Sequence, residues 1–273
     1  MTKSERETVG DPVLNWIRTG PRDAATVLLI HAVGFDLTYW DRQIEALHTD
    51  FDVIAFDLPG HGHSAGGPEL YHFDRVCELV ASLIDEAGCG AVHLVGISFG
   101  SMVAQITALA HPELVRSLTL IGSAARFPDA VRDGMRSRAA RLRNDGTTAV
   151  LQSSLERWFT PETCSSRPDV MDRVSKTILG DDPIIQAAVW DFLANEFDVH
   201  DRLHEIHCPT LVLVGELDPS TPPSAATAIT EMIEGAETHI ISNASHMVTI
   251  ESPDAVNAAL RTFYARVGAT ILQ

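Results

Sequence analysis

The pentapeptide Gly96-Ile97-Ser98-Phe99-Gly100 sits between an apolar run at 91–95 and a helix-like stretch at 102–110. A chain that passes from strand to helix over so few residues must turn sharply. Side chains two places before and after the serine would collide in that turn, and glycine at both places removes the collision. The serine is left exposed at a helix N-terminus, where free N–H groups favour developing negative charge. The pentapeptide by itself is a weak signal, and its weight comes from what surrounds it.

The surroundings alternate. Residues 26–31, 51–57, 91–95, 117–121, 209–214 and 238–241 are short apolar, β-branched runs. Such continuous runs suit a parallel sheet buried on both faces. Residues 73–87, 102–110, 224–234 and 253–267 have helical spacing. The pattern predicts an α/β fold, a mostly parallel doubly wound sheet. Residues 124–206 break it, with no convincing strand and helical spacing at 130–143, 149–158, 170–179 and 183–194. They read as a helical cap inserted after the run 117–121, counted as the sixth strand. The cap would lie over the C-terminal edge of the sheet, where open α/β sheets bind ligands. The expected division is a core of residues 1–123 and 207–273, with a cap of 124–206.

A serine hydroxyl needs a general base, usually a histidine oriented by a carboxylate. Downstream of Ser98, Asp218 lies just past the run 209–214, in Gly215-Glu216-Leu217-Asp218-Pro219, with Glu216 a weaker competitor. Of twelve histidines, His246 stands out because it follows the last strand and precedes the last helix. A tetrahedral intermediate also needs two N–H donors. By position these are the backbone N–H groups of Phe99 and of Val33, the latter in the turn His31-Ala32-Val33-Gly34.

Composition limits the rest. With 273 residues and 45% apolar content, one large domain with a small insert is expected. A net charge of −17 argues against nucleic acid and anionic membrane as partners. An anionic substrate would therefore need a local basic or polar pocket. The start, Met1 to Thr8, lacks the apolar segment of a secretory signal, and no run reaches the ~18 apolar residues of a membrane span. Four scattered cysteines, Cys77, Cys89, Cys164 and Cys208, have neither metal nor disulfide spacing, so reduced thiols in a cytoplasmic protein are expected. His61-Gly62-His63 reads as a glycine-rich turn with structural histidines. No nucleotide-binding glycine motif is present, and no cofactor or metal is expected. Nothing in the sequence bears on assembly.

These residues also carry a family resemblance. His31-Ala32-Val33-Gly34, the stretch from Asp57 to Ser64, Gly96 to Gly100, Gly215 to Pro219 and Ser245-His246 together resemble the α/β-hydrolase superfamily over nearly the whole chain. More narrowly, Phe35 to Gln43, Met102 to Gln105, Ala124-Ala125-Arg126, Arg157 to Pro161, Asp182-Pro183 and Asp218 to Pro223 look like the 3-oxoadipate enol-lactonases. The resemblance implies a Ser98, Asp218 and His246 triad and an oxyanion hole at Val33 and Phe99. It also implies that Trp158 lines the pocket and that an unsaturated lactone of aromatic-compound degradation is opened without cofactor. The chain departs from that pattern at Ser101 and Thr249, and at Asp57-Leu58-Pro59-Gly60, where the lactonases commonly show an arginine. The expected substrate is a small ester or lactone. A general carboxylesterase or a C–C bond hydrolase with the same triad is the alternative.

Overall fold

In a computed structural model that describes residues 5–9 and 12–271, the apolar runs become strands of one sheet. The strands are β1 (Glu5–Val9), β2 (Leu14–Thr19), β3 (Thr26–Ile30), β4 (Asp52–Phe56), β5 (Val92–Ile97), β6 (Val115–Ile121), β7 (Thr210–Gly215) and β8 (Glu237–Ile241). Their order across the eight-stranded sheet is β1-β2-β4-β3-β5-β6-β7-β8. Only β2 runs against its neighbours, pairing antiparallel with β1 and β4. The helices are α1 (Asp41–Leu47), α2 (Phe73–Ala87), α3 (Phe99–Ala110), α4 (Asp129–Asp145), α5 (Thr148–Trp158) and α6 (Pro161–Ser166). There follow α7 (Pro168–Gly180), α8 (Pro183–Asn195), α9 (Pro223–Thr230), α10 (Val248–Glu251) and α11 (Pro253–Ile271).

The two faces of the sheet follow from the two-residue period of a strand. Leu28 and Ile30 of β3 join Leu94, Leu118 and Val212 under α2, α3 and α9. Val27 and Leu29, one place out of step, join Val53, Val95 and Leu211 under α1 and α11. β3, β4, β5 and β7 are buried along their whole length, as the continuous apolar runs require.

The structure adds elements to the sequence reading, among them the short helices α1 and α10. The β1–β2 hairpin lies outside the apolar runs read as strands, because β2 carries polar residues among its apolar ones. Those residues are answered across the sheet: Asn15 Nδ2 donates to Asp57 Oδ2 at 2.7 Å, and Arg18 Nη2 to Asp52 Oδ2 at 2.6 Å. The short α6 was also missed, although Pro161 at its first position and the Thr160 cap would support it. The reading of Met1 to Thr8 as free of a secretory signal falls in part on residues 1–4, outside the described residues. Among the described residues no helix is long and apolar enough to cross a membrane.

Between β6 and β7 lie five α-helices, α4 to α8, and a 3-10 turn at His200–Glu205. Met135, Ile185, Val189, Phe192 and Leu193 from this stretch belong to the same apolar cluster as Leu28, Ile30 and Phe99. Strand register brings the connecting loops to one level, since Ile30 pairs with Gly96 and Gly96 with Leu120. The order β4-β3-β5 puts the switch of winding direction at β3 and β5, so the loops after these strands flank one crevice.

Candidate active site

The turn after β5 is as tight as the glycines imply. Ser98 has φ 51° and ψ −120°, a strained conformation for a residue with a side chain. Its N–H donates to Ile121 O at 2.8 Å, which ties the turn to β6. A Cβ on Gly96 would lie 2.1 Å from Gly100 O, and a Cβ on Gly100 would lie 2.2 Å from Ile30 O. The N-terminus of α3 therefore presses against the end of β3, next to the loop that carries Val33. Phe99 is the first residue of α3, so its N–H has no carbonyl within the helix to bond.

Ser98, His246 and Asp218 come from the loops after β5, β8 and β7, and they meet. His246 Nε2 lies 2.9 Å from Ser98 Oγ, and His246 Nδ1 lies 2.7 Å from Asp218 Oδ2. His246 and Asp218 are buried, whereas Ser98 keeps partial exposure. Asp218 also accepts from the N–H groups of Ser220 and Thr221 at 2.7 and 3.1 Å, and from Thr221 Oγ1 at 2.8 Å. Burial would raise the Asp218 pKa. The positive charge of His246 and these hydrogen bonds outweigh burial and hold it below the usual carboxylate value. Glu216, the competitor for this place, instead accepts from the backbone N–H of Asn243 at 3.1 Å.

The loop that carries Val33 is held by His31. Leu58 N–H donates to His31 Nε2 at 2.9 Å, so Nδ1 carries the proton and donates to Ala32 O at 2.8 Å. Burial, then the neighbouring charge of His61, lowers the His31 pKa to about 3, so the ring is neutral. His61 is buried as well, with Nε2 3.5 Å from Asp181 Oδ2, but His63 is exposed and contributes only its backbone N–H to Asp57 Oδ2. The His61-Gly62-His63 reading as paired structural histidines therefore holds for His61 alone. Away from this site, Cys77, Glu78 and His111 bring ligand-type atoms within 4.8 Å of one another, a grouping hidden by their sequence spacing.

Trp158 is buried, its ring 5.8 Å from that of Phe35, and its backbone carbonyl accepts from Met247 N–H at 3.0 Å. The insert is thus bonded to the residue after His246. Sequence reasoning missed a second tie, through Glu251. Its Oε1 accepts from Thr160, and its Oε2 takes Ser245 N–H at 2.5 Å. The two departures from the lactonase pattern, Ser101 and Thr249, both make hydrogen bonds near the site. Ser101 Oγ lies 2.6 Å from Ser98 O and 2.7 Å from Ser123 Oγ, which Gln105 also reaches at 2.9 Å, so Ser101 braces the turn from beneath. Thr249 shares a hydrogen bond with the buried Tyr39 hydroxyl and anchors the chain beyond His246.

Fold and sequence together define the class. Residues 25–253 match the alpha/beta hydrolase fold family, and the chain belongs to it. It is 28% identical over 259 residues to 3-oxoadipate enol-lactonase 2 of Acinetobacter baylyi, over 95% of this chain and 96% of that one. The crystal structure of the enol-lactonase from Burkholderia xenovorans superimposes with a TM-score of 0.89 at 26% identity, covering 96% of this chain and all 100% of the other. A thermophilic esterase from Thermogutta terrifontis gives a TM-score of 0.89 at 29% identity, over 97% and 99% of the two chains.

Proposed function

We propose that this hydrolase cleaves a small carboxylic ester or lactone with Ser98 as nucleophile, His246 as general base and acid, and Asp218 as its orienting carboxylate. The observation that carries the reading is the continuous hydrogen-bonded line from Ser98 Oγ through His246 to Asp218, at 2.9 and 2.7 Å. His246 Nε2 takes the hydroxyl proton as Ser98 Oγ attacks the carbonyl carbon. The carbonyl electron pair moves to oxygen, where the N–H groups of Val33 and Phe99 receive the negative charge. The carbonyl re-forms, the C–O bond to the leaving group breaks, and the departing oxygen takes the proton from His246. In a lactone that oxygen stays tethered to the acyl group. Water then gives a proton to His246 and attacks the acyl-serine; collapse frees the acid and returns the proton to Ser98. Asp218, ionised throughout, steadies the charged imidazole.

In this reading α4 to α8 form a cap that sets specificity, and Trp158 lines the pocket beneath it. The similarity to enol-lactonases favours a lactone of aromatic-compound degradation as substrate. The four cysteines, all unpaired, agree with a cytoplasmic setting. The likeness to an esterase keeps a second reading, a general carboxylesterase with the same triad.

The test is hydrolysis of 3-oxoadipate enol-lactone beside aryl esters of graded acyl length, with Ser98→Ala as control. Rapid Ser98-dependent opening of the lactone, with slow esters, is the expected result. Ester turnover with an inert lactone would favour the esterase reading, and activity that survives Ser98→Ala would overturn both.

A further inference from the structure

Arg138, on α4, holds a charge that no acidic side chain among the described residues answers. Most arginines near it are well partnered. Arg132 donates to the carbonyls of Phe127, Ala194 and Phe197, Arg136 pairs with Asp133, and Arg143 pairs with Asp191. Arg138 has one neutral partner, the hydroxyl of Ser154, which its Nη2 reaches. Its Nε is buried with no hydrogen-bond acceptor. Burial, then repulsion from Arg157 and Arg141, lowers its pKa to about 10, so it remains a cation at neutral pH. In a chain with 37 acidic residues, a cation left in this state is a specific arrangement.

The guanidinium sits over two aromatic rings. Its central carbon lies 4.8 Å from the ring centroid of Trp190 and 5.6 Å from that of Trp158. Stacking on aromatic rings uses the faces of the ion and leaves its N–H edges for a ligand. The Trp190 indole Nε1 is a second buried donor without an acceptor. Two adjacent side chains thus offer buried donors and no acceptor between them, which is half of a binding site for an anionic oxygen group.

Both tryptophans lie on helices that meet the segments around Ser98. Trp158 packs on Phe35, two residues past Val33, and bonds through its carbonyl to Met247. Trp190 belongs to α8, whose Phe192 ring meets Phe99 edge-on at 6.0 Å. Gln186, one helical turn before Trp190, lies over Gly34, where a Cβ would be 3.2 Å from its Nε2.

On the reading that Ser98 hydrolyses a small ester or lactone, we propose that Arg138, with Trp190 Nε1, receives a carboxylate carried by the substrate at the end away from the reacting carbonyl. A guanidinium matches a carboxylate with two parallel N–H···O bonds, and the bound anion removes the cost of a buried, unpaired charge. The insert would thereby select acidic acyl groups in a protein whose overall charge opposes them.

The test compares 4-nitrophenyl half-esters of glutarate and adipate with neutral analogues that end in a carboxamide. For the unaltered enzyme, kcat/KM should favour the carboxylate on the order of 10- to 100-fold, mainly through KM. Arg138→Met, a substitution close in size, should bring the ratio to about one, and Arg138→Lys should restore part of it. No carboxylate preference in the unaltered enzyme, or a preference that survives Arg138→Met, overturns the proposal. Binding is read apart from turnover: adipate should raise the Tm of the unaltered protein and of Ser98→Ala, but not of Arg138→Met. If no ester is hydrolysed in a Ser98-dependent way, the hydrolase reading fails, and the adipate shift still decides for or against Arg138. Should Arg138→Met not fold, the carboxylate-to-carboxamide ratio of the unaltered enzyme decides.

Discussion

Glu251 binds Thr160 twice: its Oε1 accepts the Thr160 backbone N–H at 2.7 Å and the hydroxyl at 2.9 Å. Its other oxygen holds Ser245, the neighbour of His246, so one carboxylate joins the insert to the histidine loop. Glu251→Ala leaves these donors without an acceptor and should cost about 2–3 kcal/mol of stability. Denaturant unfolding reads that loss directly. The kcat for any Ser98-dependent substrate should fall with it, because the loop that aims His246 loses its brace. Unaltered stability would show that the bridge carries no load.

Asp218→Asn should fold and lose activity by about 10⁴, since the amide no longer favours the imidazole tautomer with its proton on Nδ1. The pH dependence has a definite sign. A carboxylate held below its ordinary pKa of 3.8 stabilises the native state above that pH, and the contribution disappears as pH falls through the native value. The stability curves of the two proteins should therefore converge below pH 3.8. Urea titrations between pH 7 and pH 3 would reveal curves that stay parallel, the contrary outcome.

Two other histidines govern a milder acid range. Burial lowers His31 to about 3 and His93 to about 4, each from 6.5. The native state keeps both neutral, while the unfolded chain takes up protons below 6.5. Stability is then lost on acidification from that point, by about 1.4 kcal/mol per pH unit for each histidine. His93→Gln should remove one histidine's share of the slope. A urea midpoint that does not move between pH 6 and pH 5 in the unaltered protein would contradict this.

Gly100→Ala should be among the most damaging single changes in the chain. The new methyl would sit 2.2 Å from Ile30 O and 2.6 Å from His31 O, both backbone atoms that cannot step aside alone. A loss of about 3 kcal/mol or more is expected, by separation of α3 from the end of β3. A variant with unchanged Tm would mean that the turn can relax.

What the sequence made legible was what depends on neighbours along the chain. The fully buried strands are continuous apolar runs, and Gly96 and Gly100 announce a turn that only they permit. Ser98, Asp218 and His246 could be chosen because each follows a strand. Asn15 and Arg18 spoiled the pattern of β2, since their partners, Asp57 and Asp52, lie 42 and 34 residues away. Glu251 and Arg138 were illegible for the same physical reason. One has meaning only through Thr160 and Ser245, the other only through two tryptophans and the acceptors it lacks. Ser101 read only as a departure from the lactonase pattern, and Ser123, its partner, gave no local sign.

The stretch between β6 and β7 shares its apolar cluster with the sheet, through Met135, Ile185, Val189 and Phe192 beside Leu28, Ile30 and Phe99. Such a stretch cannot be traded as a cassette. Excising it would bare oily surface on both sides of the cut, and a foreign helix set would have to reproduce the same interlocking shapes. New preferences in this enzyme must therefore be won one side chain at a time, at positions such as Arg138 that lie outside the shared apolar clusters.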